Sequence, residues 1–329
     1  VALGRELWVE VERWPLRRSF RTAGTVTTEE SVVTVSVREG QYEGRGEASG
    51  VYYHAETAES VATEIEALRH DVLSGINRVE LAQLVPAGGA RNALDCALWA
   101  LEAKLAGRPA WLLAGLDRPR PLTTTVSIGA DSPDVMAMAA LDYPDALAMK
   151  LKLLGDGEDA ARVQSIRALR PDIWLGVDAN QSLGREGLEK LLPALVTARV
   201  ALIEQPVRAG EDEVLEGLNS PIPLAADESV QVEDDLPGLR PYYQVINVKL
   251  DKTGGLTAAL SLARAAREMG FDVMVGNMSG TSLAMAPAFL VGQLCTIVDL
   301  DGPLLFARDR EQAALYSGGQ INCLPDIWA

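Results

Sequence analysis

From Trp174 the chain runs WLGVDANQ and from Ala201 it runs ALIEQPV, two short apolar runs that each end in a carboxylate, Asp178 and Glu204, 26 residues apart. The same figure recurs on both sides. PLAADES from Pro223 ends at Asp227, VINVKL from Val245 delivers Lys249, AMKLK from Ala148 delivers Lys150 and Lys152, and TIVDLD from Thr296 delivers Asp299 and Asp301. From Lys152 through Asp178, Glu204 and Asp227 to Lys249 the steps are 26, 26, 23 and 22 residues, the length of one strand, one helix and two short loops. Adding Thr123–Ile128 and Asp272–Val275 gives eight candidate strands. Helical stretches such as Asp159–Leu169, Gly187–Thr197 and Leu256–Met269 lie between them, so the strands should be parallel and the class α/β. Little chain follows the eighth strand, which predicts a modified TIM barrel, (β/α)7β, without a final helix.

The preceding residues read differently. Leu7–Val11, Ser31–Arg38 and Tyr42–Ala48 alternate as antiparallel strands do, and Ala58–Leu73 and Ala90–Leu105 carry helical patterns, the second stopped by Gly107-Arg-Pro109. The expected division is an α+β capping domain over 1–118, a barrel over 119–303 and a segment over 304–329 that returns to the capping domain.

Among 329 residues, 30 Lys and Arg stand against 46 Asp and Glu, a net charge of −16. Such a chain is a poor ligand for nucleic acid or an anionic membrane surface, since both are held by clustered cations. Cys96, Cys295 and Cys323 have neither the number nor the spacing for a disulfide framework or a thiolate metal site. Val1–Glu12 lacks the apolar core of a signal peptide, so a reducing, cytoplasmic setting is expected. Val273–Val298 contains no charged residue and is long enough to span a membrane, but Gly276, Asn277, Gly280, Pro287 and Gln293 interrupt it. Strand, helix and strand is the expected order there.

Barrel sites lie at the C-terminal ends of the strands, where the charged residues above fall. Asp178, Glu204 and Asp227, on consecutive strands, make a hard-oxygen half shell suited to Mg²⁺, with Asn180, Glu228 and Asn247 as neighbouring orienting groups and Glu228 expected to orient Lys249. Lys150 and Lys152 share a strand face, as do Asp299 and Asp301. Lysines on strands two and six flank the carboxylates and can face two sides of one bound molecule. A lysine acts as a base when its pKa is lowered, which the cation of Lys150 beside Lys152 is expected to do. Cys96 and Trp99 read as core, and Gly254-Gly255 as a weak candidate for an anion cradle.

The order Lys-x-Lys, Asp, Glu, Asp, Lys over residues 150–249, behind an α+β capping region, resembles the enolase superfamily in its muconate-lactonizing subgroup. LVPAGGARNALDCALW from Leu84, VDANQ, EQP, ADES, NVKLDKTGGL and DLDGP extend the likeness over most of the chain. The Asp-x-Asp of strand eight is similar to that of the dipeptide epimerases, typified by L-Ala-D/L-Glu epimerase. The resemblance implies a Mg²⁺-dependent isomerase. Lys152 and Lys249 would invert the Cα beside a dipeptide's C-terminal carboxylate through an enolate, and Asp299 and Asp301 would hold its ammonium, with Lys150 also on the substrate. A muconate cycloisomerase or o-succinylbenzoate synthase would share the metal and a lysine, but their anionic substrates need no aspartate pair. A non-catalytic binding protein would need neither lysine. Loops at Ser19–Thr28 and Ser49–Glu56 should set selectivity. Relatives acting on glutamate dipeptides carry an Arg a few residues after a Phe. Here Phe20-Arg21-Thr-Ala-Gly24 puts Gly24 at that place, which with Tyr52 and Tyr53 implies a non-acidic C-terminal residue. The implied partner is a small dipeptide; whether the protein is a homo-oligomer is open.

Overall fold

The structure, a computed structural model, describes residues 4–323 and 328. Three antiparallel strands, β1 (Arg5–Arg21), β2 (Val26–Glu39) and β3 (Tyr42–Ala48), open the chain. β1 extends ten residues beyond the apolar run that marks it in the sequence, because its far half pairs with β2 by backbone bonds through a register shift between Pro15 and Phe20. Val33, Val35 and Val37 of β2 are buried in the capping-domain core with Ala93, Leu94 and Ala97 of the long helix Gly89–Ala106. Close approach here depends on glycine: a Cβ on Gly44 or Gly46 would lie 2.0 Å from the carbonyl oxygen of Ala97 or Ala93. The expected helix over 58–73 is two, Ala58–Ala67 and Arg69–Leu73, broken at Leu68.

After β4 (Leu122–Thr123) come β5 (Thr125–Ile128), β6 (Ala148–Lys152), β7 (Trp174–Asp178), β8 (Leu202–Glu204), β9 (Leu224–Ala226), β10 (Val245–Val248), β11 (Asp272–Val275) and β12 (Ile297–Val298), adjacent in sequence order in one parallel sheet. This is a (β/α)7β barrel under an α+β cap. Register sets Lys152 level with Asp178, and Asp178 level with Glu204. Because side chains alternate, Leu202 and Glu204 share a face, as do Ala225 and Asp227, and Val245 and Lys249. Leu202, Ala225, Val245 and Met274 pack together as a separate apolar cluster below the charged layer. Neighbours in the ring share backbone ladders from β5 to β12, but β12 and β5 meet through side chains: Leu300 N donates to Thr124 Oγ1 at 2.9 Å, and Thr125 Oγ1 donates to Asp299 Oδ1.

The uncharged stretch at 273–298 is β11, the helix Ser282–Gly292 and β12. No helix among the described residues is long and apolar enough to cross a membrane. Past the barrel, Phe306 packs on Trp14 and Ala307 N donates to Pro15 O at 2.9 Å, while β13 (Leu315–Ser317) and β14 (Gln320–Asn322) form a hairpin on β4. Arg310 reaches across to Glu12, Thr34 and Glu47 on the three capping strands and to Thr281 of the barrel.

Candidate active site

The strand ends bring Asp178, Glu204 and Asp227 together, all buried, with one oxygen of each within 4.8 Å of the others. Lysines surround them. Lys152 Nζ donates to Asp178 Oδ2 at 2.5 Å, Lys249 Nζ to Asp227 Oδ2 at 2.6 Å, and Lys150 Nζ to Glu204 Oε2 at 2.9 Å and Asp299 Oδ2 at 2.5 Å. Asn247 Nδ2 donates to Glu204 Oε1 at 2.7 Å, and Asn180 N to Asp178 Oδ1 at 2.8 Å.

Burial and neighbouring charge pull the carboxylates in different directions. Burial, reinforced by Asp178, raises Glu204 to about 7, and burial with Asp227 raises Glu228 to about 8. Burial acts to raise Asp227 as well, but the ammonium groups of Lys249 and Lys252 hold it below the usual carboxylate range. A site this short of cations at its centre suits one more. The donors are all hard oxygens, no His or Cys joins the cluster, and Asn180 Oδ1, Glu228 Oε2, Asn247 Oδ1 and Tyr53 Oη are buried without partners beside it. That is the donor set of a hydrated divalent cation of the Mg²⁺ type.

Lys150 stays a cation: burial works against its charge, but Asp299, Glu204 and Asp178 raise its pKa well above the ordinary value, and it bridges the carboxylate row to strand eight. Two expectations change. Glu228 does not hydrogen-bond Lys249; its Oε1 accepts from Asn180 Nδ2 at 3.3 Å, because Lys249 is drawn to the nearer Asp227. Gly254-Gly255 cradles no anion, since added Cβ atoms would strike Arg91 and Asp95 of the long capping helix.

On strand eight, Asp299 holds Lys150 and Thr125, while Asp301 Oδ2 accepts from Ser127 N at 2.5 Å. Burial and then Asp299 raise Asp301 to about 6. Ser127 also lines a cavity of about 630 Å³ beneath the first capping loop, walled by Phe20, Met136 and Tyr143 and by three arginines, Arg17, Arg18 and Arg21. Gly24 sits at the exposed hairpin tip with nothing within 4 Å of where a Cβ would be, and lines none of this cavity. In the second loop the rings of Tyr52 and Tyr53 meet edge-on at 5.1 Å. Burial pushes both phenols up, followed by Glu228 for Tyr52 and Asp227 for Tyr53, so the loop faces the carboxylates.

Residues that the sequence did not single out complete the site. Lys252 Nζ donates to Asp227 Oδ1 at 2.7 Å and to Asn247 O at 3.0 Å. Gln205, at φ 34°, accepts from Asp227 N at 2.8 Å and donates to Val207 O at 2.9 Å, lacing two strand ends together. Its place in EQP beside ADES was the available signal; its partners were not.

Against known proteins, residues 136–304 match the family described as enolase C-terminal domain-like, and residues 5–115 match the N-terminal domain of mandelate racemase and muconate lactonizing enzyme. An N-acetyl-D-glutamate racemase of a Pseudoalteromonas species is 44% identical, over 90% of this chain and 95% of that protein. The L-Ala-D/L-Glu epimerase of Escherichia coli is 38% identical, over 97% and 99%. Among solved structures, an enolase family member from Agrobacterium tumefaciens, with sodium and L-Ala-L-Glu bound, superposes with a TM-score of 0.96 at 40% identity, over 99% of this chain and all of that one. A dipeptide epimerase from Methylococcus capsulatus, complexed with Mg and L-Arg-D-Lys, gives 0.90 at 30% identity, over 98% of each.

Proposed function

Since this chain belongs to the mandelate racemase and muconate lactonizing enzyme family of the enolase superfamily, we propose that it is a Mg²⁺-dependent dipeptide epimerase in which Lys152 and Lys249 exchange the proton at the substrate Cα. The observation that carries this is the symmetry of the site: each lysine ends on a different outer carboxylate of one buried row, Lys152 on Asp178 and Lys249 on Asp227. Asp178, Glu204 and Asp227 would hold the ion. Mg²⁺ held there would supply positive charge for the substrate carboxylate and for the enolate. The lysine on the proton's side, neutral, takes it and becomes an ammonium; the opposite lysine, charged, gives a proton to the other face and becomes neutral. Turnover leaves the two protonation states exchanged, so the same pair runs the reverse reaction from the other isomer.

For the substrate, the expectation of a non-acidic C-terminal residue rested on Tyr52 and Tyr53 and on Gly24, which lies outside the lining of the adjoining cavity. The arginines of the adjoining cavity, together with relatives named for glutamate substrates, support an acidic one. A second reading, racemisation of N-acetylglutamate, is favoured by the 44% identical relative and by the pairing of Asp299 with Lys150, which leaves only Asp301 to attract an ammonium. Exchange of the Cα proton in ²H₂O, followed by mass and chirality analysis of L-Ala-L-Glu, L-Ala-L-Leu, L-Ala-L-Phe and N-acetyl-D-glutamate, separates the readings. L-Ala-L-Glu is expected to be best. Faster turnover of N-acetylglutamate would replace the dipeptide assignment, and preference for Leu or Phe would restore the argument from Gly24. Loss of water from a product would point to a lyase.

A further inference from the structure

The turn after the sixth barrel strand does more than carry Lys249. Lys249 and Lys252 both close on Asp227, while Asp251, one of the two residues between them and part of the one-turn helix Leu250–Thr253, points the other way into the capping domain. Asp251 is buried, and its Oδ1 accepts the backbone amides of Ser49 at 3.0 Å and Gly50 at 3.1 Å. The next amide, Val51 N, is held at 2.7 Å by Glu56, which also accepts from Gly89 N at the start of the long capping helix. Three consecutive amides at the root of the Tyr52–Tyr53 loop are thus fixed by two carboxylates, one from each domain. Only Asp251 belongs to the barrel.

We propose that Asp251 is a positioning residue for substrate binding: it sets the Tyr52–Tyr53 loop over the site at a fixed height relative to Lys249, two residues away. Its hydrogen bonds, to the two amides and to the Asn92 side chain, do not reach the carboxylate row, so its effect should fall on substrate capture rather than on proton transfer. An acceptor shared by two buried amides holds a loop root without any help from the loop's own side chains. The magnitude of the kinetic effect rests on the epimerase reading, but the state of the loop does not.

The test compares Asp251→Ala and Asp251→Asn with the natural enzyme. In Asp251→Ala, hydrogen exchange at the Ser49 and Gly50 amides should quicken at least tenfold. KM for the best dipeptide should rise at least tenfold, kcat should stay within threefold, and calorimetric affinity for Mg²⁺ alone should be unchanged. Asp251→Asn keeps an oxygen at Oδ1 and should recover most of the KM. Unchanged exchange at Ser49 and Gly50, an unchanged KM, a fall confined to kcat, or an Asn variant as impaired as Ala would overturn the proposal. If the Ala protein does not fold, Asp251→Ser, too short to span both amides, is read in the same way. Failure of the natural enzyme to act on any dipeptide would count against the epimerase reading instead, and exchange at the two amides would still decide the role of Asp251.

Discussion

Lys152 and Lys249 are each bound to a carboxylate that the proposed reaction assigns to a metal. Their separation by the carboxylate row gives a stereochemical prediction. Lys152→Ala and Lys249→Ala should each abolish epimerisation. Each survivor should still wash deuterium into one isomer, and the two variants should choose opposite isomers, as proton NMR in ²H₂O reports. Exchange into the same isomer by both would place the lysines on one face. The carboxylates and these lysines were legible in the sequence because each ends an apolar run, and strand alternation then fixes where it points. Lys252 was not. It reaches Asp227 from the third position of a single helical turn, and nothing in NVKLDKTGGL tells whether the strand continues, ends or coils there.

At the scale of elements, one face of the long capping helix is fitted to the loop that leaves the sixth strand. Arg91 donates to Gly254 O at 3.2 Å, while Asp95 accepts Thr257 N at 2.9 Å and Thr257 Oγ1 at 2.6 Å. Burial raises Asp95 to about 6 despite those bonds. The folded chain therefore keeps a proton that the unfolded chain releases between about pH 4 and 6, and stability falls as pH rises through that window. The loss reaches about 3 kcal/mol for a shift of this size. Asp95→Asn should flatten that part of the profile by about 1–3 kcal/mol between pH 4 and 7 in urea unfolding; superimposable profiles would show that Asp95 is ionised at no cost. The joint explains why the eight barrel strands could be read from the sequence while the seating of the cap could not. Strand ends repeat at a fixed interval, whereas Arg91, Asp95 and the Gly254-Gly255 pair are matched across more than 150 residues with no period to expose them. The outer half of β1 was hidden for a similar reason: Arg13 to Arg21 pairs through its backbone and shows little apolar alternation.

For the molecule as a whole, Arg310 is the tie between its parts. Its Nη2 donates to Glu47 at 2.7 Å, Glu12 at 2.8 Å and Thr34 at 2.9 Å, and its Nε to Thr281 at 2.6 Å. Glu47 is fully buried, and burial raises its pKa even with the guanidinium in place. Arg310→Met should therefore cost about 3–5 kcal/mol, because it strands a charge inside the protein. Adding Glu47→Gln should return a large part of that loss. Denaturant midpoints of the two proteins measure it, and a loss under about 1 kcal/mol would mean that water reaches Glu47.

The ring of strands is bonded unevenly, and that unevenness bears on how the protein tolerates change over generations. Lys152, Asp178 and Glu204 end strands that are laddered on both sides, so displacing one strand end disturbs its neighbours. Asp299 stands at the join between last and first strands, which is held by threonine hydroxyls instead of a backbone ladder. Asp299 also holds Lys150 against the carboxylate row, so its substitution should disturb the metal site, whereas Thr124 and Asp301 make no hydrogen bond to that row. Drift toward new substrates should therefore accumulate first at Thr124 and Asp301, and a library confined to those two positions, screened for a changed preference, tests it.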